Sequence, residues 1–402
     1  GRKKAYYEAL LKATEGNKNE DWKKVDALLP KQVRDGNDVI HIHSIEVGYM
    51  EDRVLRSPES SLRAPDQNEK KAQDLTTKTK KTMLESMDSR YLLGLAAVQK
   101  SRSLVQNSNA TVRHFLGSGM DIDLKPAGQI LPNEFEARAE GGIDSSLDVQ
   151  SMRERLPVAI ERFKTVFGEA AFEELCEGRI DIDEIVGSDI ASHELGHAVG
   201  VVGNVMERLG NTKLMGTYIE EWKATTAGFV LNELIPYDEG KKDIESLRTW
   251  LTEHIMTACR YAGNRAHPYA SAYFRKSMML MTTAQETGIL ECDTENKEFP
   301  WKINLDEERV RMFSDRLFAQ FREFMEIYDH GTVYYLNTYL EKNLRSTAFL
   351  EFLCERISNP DIAAFTPETL AKLPKDLLAE AAKVEDEQGE TREDVKEVLK
   401  GE

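Results

Sequence analysis

One segment of the chain has the residue types and spacing to do chemistry: Ser188-Asp189-Ile190-Ala191-Ser192-His193-Glu194-Leu195-Gly196-His197-Ala198-Val199-Gly200. His193 and His197 stand four apart, so on a helix both imidazoles project from one face, a turn apart, and can share a metal ion. Neutral imidazole suits Zn²⁺, and two nitrogens from one rigid turn preorganise half of a tetrahedral site. Glu194 follows the first of them, which puts a carboxylate beside the open coordination position as base for a metal-bound water. The competing reading is a buried helix with two incidental histidines. Gly196, Gly200 and Gly203 weigh against an ordinary surface helix. A mid-helix glycine costs about 1 kcal/mol against alanine, so three of them point to close packing.

A closed site needs a third protein ligand, and the segment Thr217-Tyr218-Ile219-Glu220-Glu221-Trp222-Lys223-Ala224 offers two carboxylates. Adjacent helical residues point about 100° apart, so only one of the two faces the metal. With Thr217 as N-cap, Glu220 falls at N3 and completes a capping box, which leaves Glu221 as the third ligand. Glu220 then has two open readings: the cap, or a carboxylate behind one of the ligand histidines. Two histidines on one helix and a glutamate on the next is the gluzincin arrangement, and the expected cofactor is one Zn²⁺ per chain.

His193-Glu194-Leu195-Gly196-His197 followed two dozen residues later by Glu220-Glu221-Trp222-Lys223-Ala224 resembles the dipeptidyl peptidase III family of zinc metallopeptidases, including the form fused to Nudix hydrolases. That family's usual signatures are a six-residue HExxGH and an EExRA followed by an acid. Arg265-Ala266-His267-Pro268-Tyr269-Ala270 is similar to its segment bearing a substrate-contacting histidine. Ile130-Leu131-Pro132-Asn133 is similar to its substrate-binding loop, and Ile45 to Asp52 is similar to the strand region that carries its catalytic tyrosine. The five segments keep the family's order from Ile45 to Ala270. The resemblance implies that His267 helps hold the oxyanion, that Tyr49 shares this role, and that Asn133 binds peptide backbone. Read from the residues alone, His267 is an N-cap before Pro268, and Asn133 forms a turn after Pro132.

The chain also departs from the pattern. The first motif is one residue shorter, which restores the ordinary His-Glu-x-x-His spacing, and Thr225 stands where the family has an acid. The length is that of a shortened member, with the reduction on the N-terminal side.

The elements that must position these groups are mostly helical. Residues 5–14 have helical apolar spacing, followed by a polar linker and the β-branched stretch Val39 to Ile45, where His41 and His43 alternate. Residues 53–75 read as polar loop and 83–106 as helix. The lysines between Lys70 and Lys81 form a solvated face, and Gly117 to Asp144 reads as loops and short strands. From Leu147 onward the pattern is helical near 150–165, 168–177, 188–209, 217–234, 244–262, 268–287, 305–328, 333–356 and 367–383.

The fold expected is mostly α with a minor β component: a two-lobed, zincin-like metallopeptidase. Residues 56–118 and 146–383 form its helical zinc-binding lobe, and residues 1–55 and 119–145 a reduced, mixed second lobe on the substrate side. Residues 384–402 form a charged tail.

The 402 residues, 41% hydrophobic and 31% charged, suffice for a large core. A net charge of −17 excludes broad binding to nucleic acid or anionic membrane, since there is no excess of cations to replace their counterions. Four scattered cysteines with no paired spacing fit a reduced, cytoplasmic setting. The substrate expected is a short peptide losing dipeptides from its N-terminus; the oligomeric state is not encoded in any pattern found. Two rivals are a zinc hydrolase of other specificity (an aminopeptidase or a small-molecule amide hydrolase) and a peptide-binding protein with little turnover.

Overall fold

The computed structural model describes residues 2–16, 18–32, 40–43, 59–65, 67–118, 127–132, 137–138, 142–176, 180–201, 205–209, 218–263, 268–293, 295–296 and 298–357. Tyr49, Asn133 and His267 lie outside the described residues, as do Thr217, Gly203 and the segment 367–383.

Helices dominate, with two small sheets. The N-terminal helices α1 (Arg2–Gly16) and α2 (Asn19–Gln32) pack on each other. Tyr6, Ala9, Ala13, Trp22, Val25 and Leu29 form a small core of their own, which also takes in Leu131. The sequence reading took the second of these helices for a polar linker. Its apolar residues Trp22, Val25 and Leu29 do recur at three- and four-residue spacing, but the charges between them dilute the pattern until α1 supplies a partner face.

The larger sheet has the order β1-β2-β3-β5-β4, from β1 (Ile40–His43), β2 (Glu59–Pro65), β3 (Asn109–Ser118), β4 (Gly128–Leu131) and β5 (Asp144–Leu147). Its pairs are antiparallel except β3 with β5, and β4 is an edge strand. The sheet therefore joins strands from both of the lobes delimited by sequence. β2 also corrects the reading of 53–75 as loop throughout.

A large apolar core unites the rest. Residues 83–106 form two helices rather than one: α3 (Lys70–Ser86) and α4 (Ala96–Asn107). Between them Ser89 accepts a hydrogen bond from the Tyr91 amide, and Gly94 takes φ +88°, a conformation that favours glycine. On α3, Lys70, Lys71, Lys78 and Lys81 are exposed while Ala72, Thr76, Thr79 and Met83 are buried, which is the solvated face expected.

Next come α5 (Val149–Phe167) and then α6 (Ala191–Gly196), entered through a π-helical turn at Ile185–Ile190. α7 (Tyr218–Gly228) leaves through a second π-helical turn at Phe229–Leu234. They are followed by α8 (Ile244–Ala262), α9 (Pro268–Glu286), a hairpin of β6 (Leu290–Cys292) and β7 (Trp301–Ile303), α10 (Glu307–His330), α11 (Val333–Asn343) and α12 (Ala348–Ile357). Two helices expected to be continuous are broken. The segment 188–209 turns after His197, where Gly200 takes φ +79° against Met325 and Tyr328. The segment 333–356 breaks between α11 and α12, where Thr347 accepts from the Leu350 amide. Cys176 and Cys259 are buried core, whereas Cys292 is exposed and Cys354 half-buried.

Candidate metal centre

The site is made by α6 lying antiparallel on α7. Gly196 faces the Ala224 carbonyl so closely that a Cβ would stand 2.3 Å from it, and Gly228 faces Ser192 in the same way, with 2.9 Å to its hydroxyl. The positions pair in opposite directions along the two helices, 196 with 224 and 192 with 228. That contact brings the histidine face of α6 over the first turn of α7.

His193, His197 and Glu221 converge, each offering one ligand atom, and these atoms all lie within 4.8 Å of one another. No other group of three histidine, cysteine or acidic side chains meets so closely among the described residues. Nε2 of His193 is 3.1 Å from Oε2 of Glu221, and Nε2 of His197 is 3.9 Å from Oε1. Ligands 2.0–2.1 Å from a tetrahedral zinc stand roughly 3.3 Å apart, so the two separations bracket the required edge. The imidazole rings meet edge to face, 4.9 Å between centroids. Two nitrogens and a carboxylate from adjacent helices are also the donor set that zinc takes. The residues fit the ion.

Electrostatics puts each candidate ligand in its donating state. Burial pushes His193 down to about 4, against the pull of Glu221, and burial also lowers His197; both rings are neutral at pH 7. Burial works to raise the Glu221 carboxyl, but the hydrogen bond and charge of His193 outweigh it and take the group down to about 2.

Each histidine has a distinct outer partner. Nδ1 of His193 lies 3.0 Å from Oγ1 of Thr225, so the residue in place of the family's acid makes the hydrogen bond that leaves Nε2 toward the ligand cluster. Nδ1 of His197 faces Oε2 of Glu220 at 3.8 Å. Glu220 is itself held by Nζ of Lys223 at 2.9 Å and by the Tyr328 hydroxyl, which donates to Oε1. The carboxylate stands behind His197, while Thr217, on which the capping reading depends, lies outside the described residues. Lys223 is fully buried and also donates to the His197 carbonyl at 3.1 Å.

Glu194 is buried one residue after His193, against the edge strand β4: a Cβ on Gly128 would fall 2.5 Å from its Oε1. The strand thus runs directly past this carboxylate. Sequence reasoning missed Lys223, Tyr328 and the Gly128 contact. Lys223 could have been found, since a lysine inside an apolar helix beside two glutamates needs a buried partner. Tyr328 lies more than a hundred residues away in sequence and carries no local signal.

No family model matches this sequence, and no curated protein matches it. Solved structures do. Dipeptidyl peptidase III from Corallococcus sp. strain EGB is 16% identical with a TM-score of 0.63, over 90% of this chain and 64% of that one. The enzyme from Caldithrix abyssi is 15% identical with a TM-score of 0.60, over 89% of this chain and 65% of that one. The chain therefore spans about 65% of the length of these structures, and over that span it has the mostly helical, two-lobed fold of dipeptidyl peptidase III.

Proposed function

We propose that this protein is a zinc-dependent peptidase that releases dipeptides from the N-terminus of short peptides. The observation that carries the reading is the convergence of His193, His197 and Glu221 within 4.8 Å, with Glu194 on the same helix turn. A bound zinc ion would supply Lewis acidity, making water a nucleophile near neutral pH and polarising a peptide carbonyl.

The chain's own groups do the rest. Glu194 takes a proton from the attacking water and delivers it to the departing amine, a role suited to a buried carboxylate. Thr225 holds the His193 imidazole in the tautomer that leaves its inward nitrogen free to donate, and the Glu220 carboxylate stands 3.8 Å behind His197. β4 is an edge strand passing beside Glu194, so an extended peptide added along it would bring its backbone to the base. His267, Tyr49 and Asn133 belong to the proposal by resemblance alone, the first two at the oxyanion and the third on the peptide backbone.

One rival is a zinc hydrolase of other specificity, an aminopeptidase or a small-molecule amide hydrolase. Mass spectrometry of products from an unblocked hexapeptide separates them: successive loss of dipeptides supports the proposal, and release of single residues or internal cleavage refutes it. Metal analysis should give one zinc per chain. Glu194→Gln should keep that zinc and lose turnover by at least about 100-fold, whereas Glu221→Ala should lose the zinc.

A further inference from the structure

The outer partners of the two histidines are built differently. Thr225 is within hydrogen-bond reach of His193 at 3.0 Å, whereas the Glu220 carboxylate stands 3.8 Å behind His197, too far for a hydrogen bond. Nδ1 of His197 is buried and has no hydrogen-bond partner among the described residues. A contact of that length does not align the two groups, because it lacks the angular preference of a hydrogen bond. The direction of the Glu220 carboxylate must therefore come from its other neighbours.

Two fully buried neighbours supply it, one on each oxygen. The Tyr328 hydroxyl, from α10, donates to Oε1, and Nζ of Lys223, one turn along α7, lies 2.9 Å from Oε2. The Lys223 ammonium also sits 5.2 Å from the centre of the Tyr328 ring, so the three groups close on one another. Tyr328 is fixed in turn. Arg208 donates to the Ile327 carbonyl at 2.8 Å and to the carbonyls of Tyr328 and Gly331, which satisfies the end of α10. The Tyr328 ring also packs against the chain just past His197: a Cβ on Gly200 would fall 2.9 Å from its Cδ1. Tyr328 thus touches both halves of the centre, the carboxylate on α7 and the chain that leaves α6.

A metal-ligating histidine takes its ring orientation and tautomer from the group behind it. We infer that Tyr328 and Lys223 are positioning residues of the metal centre, holding Glu220 turned toward Nδ1 of His197 so that this ring presents Nε2 to the ion. The inference rests on the reading of His193, His197 and Glu221 as zinc ligands. It goes beyond that reading by making Tyr328, which lies on α10 and in none of the motifs, a determinant of metal affinity.

The test is zinc affinity, read by competition against a chromophoric chelator in the wild type, Tyr328→Phe, Glu220→Met and the double variant. Tyr328→Phe keeps the ring against Gly200 and removes only the hydroxyl. Thermal unfolding of each metal-free protein reads the packing separately. Tyr328→Phe should weaken zinc binding about tenfold, and Glu220→Met about 10–100-fold. The double variant should bind zinc no worse than Glu220→Met alone, because the hydroxyl has nothing to position once the carboxylate is gone.

Wild-type affinity in either single variant, with or without a lower melting temperature, overturns the inference and leaves the metal reading intact. So does a further, additive loss in the double variant, which would mean that the Tyr328 hydroxyl does not act through Glu220. A wild type that takes up no zinc refutes the metal reading, and the inference falls with it. Should Tyr328→Phe not fold, Lys223→Met approaches the same carboxylate from its other oxygen. Weakened zinc binding there supports the proposal, and unchanged affinity refutes it.

Discussion

Gly196→Ala should cost the protein its metal more than its fold. The new Cβ would stand 2.3 Å from the Ala224 carbonyl oxygen, where an ordinary carbon–oxygen contact needs about 3.3 Å. The obstruction is backbone on both sides, so relief requires α6 and α7 to separate by about 1 Å. Overpacking of this kind costs roughly 1–3 kcal/mol of stability. The consequence at the site is larger. The two helices carry opposite sides of the ligand set, and a 1 Å separation takes His193 Nε2 to Glu221 Oε2 from 3.1 Å to about 4 Å, past the roughly 3.3 Å edge of a zinc tetrahedron. Zinc affinity should fall by at least about 100-fold, a loss comparable to removing an outer partner or worse. Competition against a chromophoric chelator reads the affinity, and thermal unfolding of the metal-free protein reads the packing. If the variant binds zinc like the wild type while its metal-free form melts several degrees lower, the two helices are not what sets the ligand spacing, and the reasoning fails.

Three further outcomes are expected. Thr225→Val, nearly isosteric, should weaken zinc binding about 10–100-fold while Thr225→Ser stays close to wild type, measured by the same chelator competition; equal affinities would mean that the 3.0 Å contact with His193 does not orient the ring. Gly128→Ala should lower kcat with zinc content unchanged, because the added methyl displaces the Glu194 carboxylate rather than a ligand; lost zinc would place the strand against the metal cluster instead.

The third outcome concerns pH. Burial raises the Glu233 carboxyl to about 7 despite Lys242 at 2.7 Å. An acid whose folded value lies above its unfolded one near 4.5 loses stability as pH rises between the two. Glu233→Gln, which cannot ionise, should therefore gain on the wild type between pH 4.5 and 7, by a difference on the order of 3 kcal/mol. Paired thermal melts across that range check the sign, and a difference that shrinks with rising pH would contradict it.

The grouping of His193, His197 and Glu221 was legible in the sequence, whereas Tyr49, Asn133 and His267 lie outside the described residues. Two histidines four apart with a glutamate between them have one common use, because helical geometry alone puts them on one face. The choice of Glu221 over Glu220 rested on reading Thr217 as an N-cap with Glu220 at N3; Thr217 lies outside the described residues, and the two carboxylates point to different partners: Glu221 to His193, Glu220 to Lys223 and Tyr328. Local patterns misled where partners decide. α2 looked like a linker because its apolar stripe is narrow until α1 covers it. The breaks after Ser86 and Asn343 were hidden because apolar residues continue on both sides of them.

The sequence by itself determined the candidate ligand types, their pairing on a helix, the mostly helical class, and the glycines that let one helix approach another. These depend on short-range geometry and side-chain chemistry, which a few consecutive residues contain. Only the tertiary structure decided that Thr225 meets His193, that Tyr328 reaches Glu220 across more than a hundred residues, and that β4 passes against Glu194. Each of these joins elements distant in the chain, and their meeting is set by how whole helices pack, which no local spacing records.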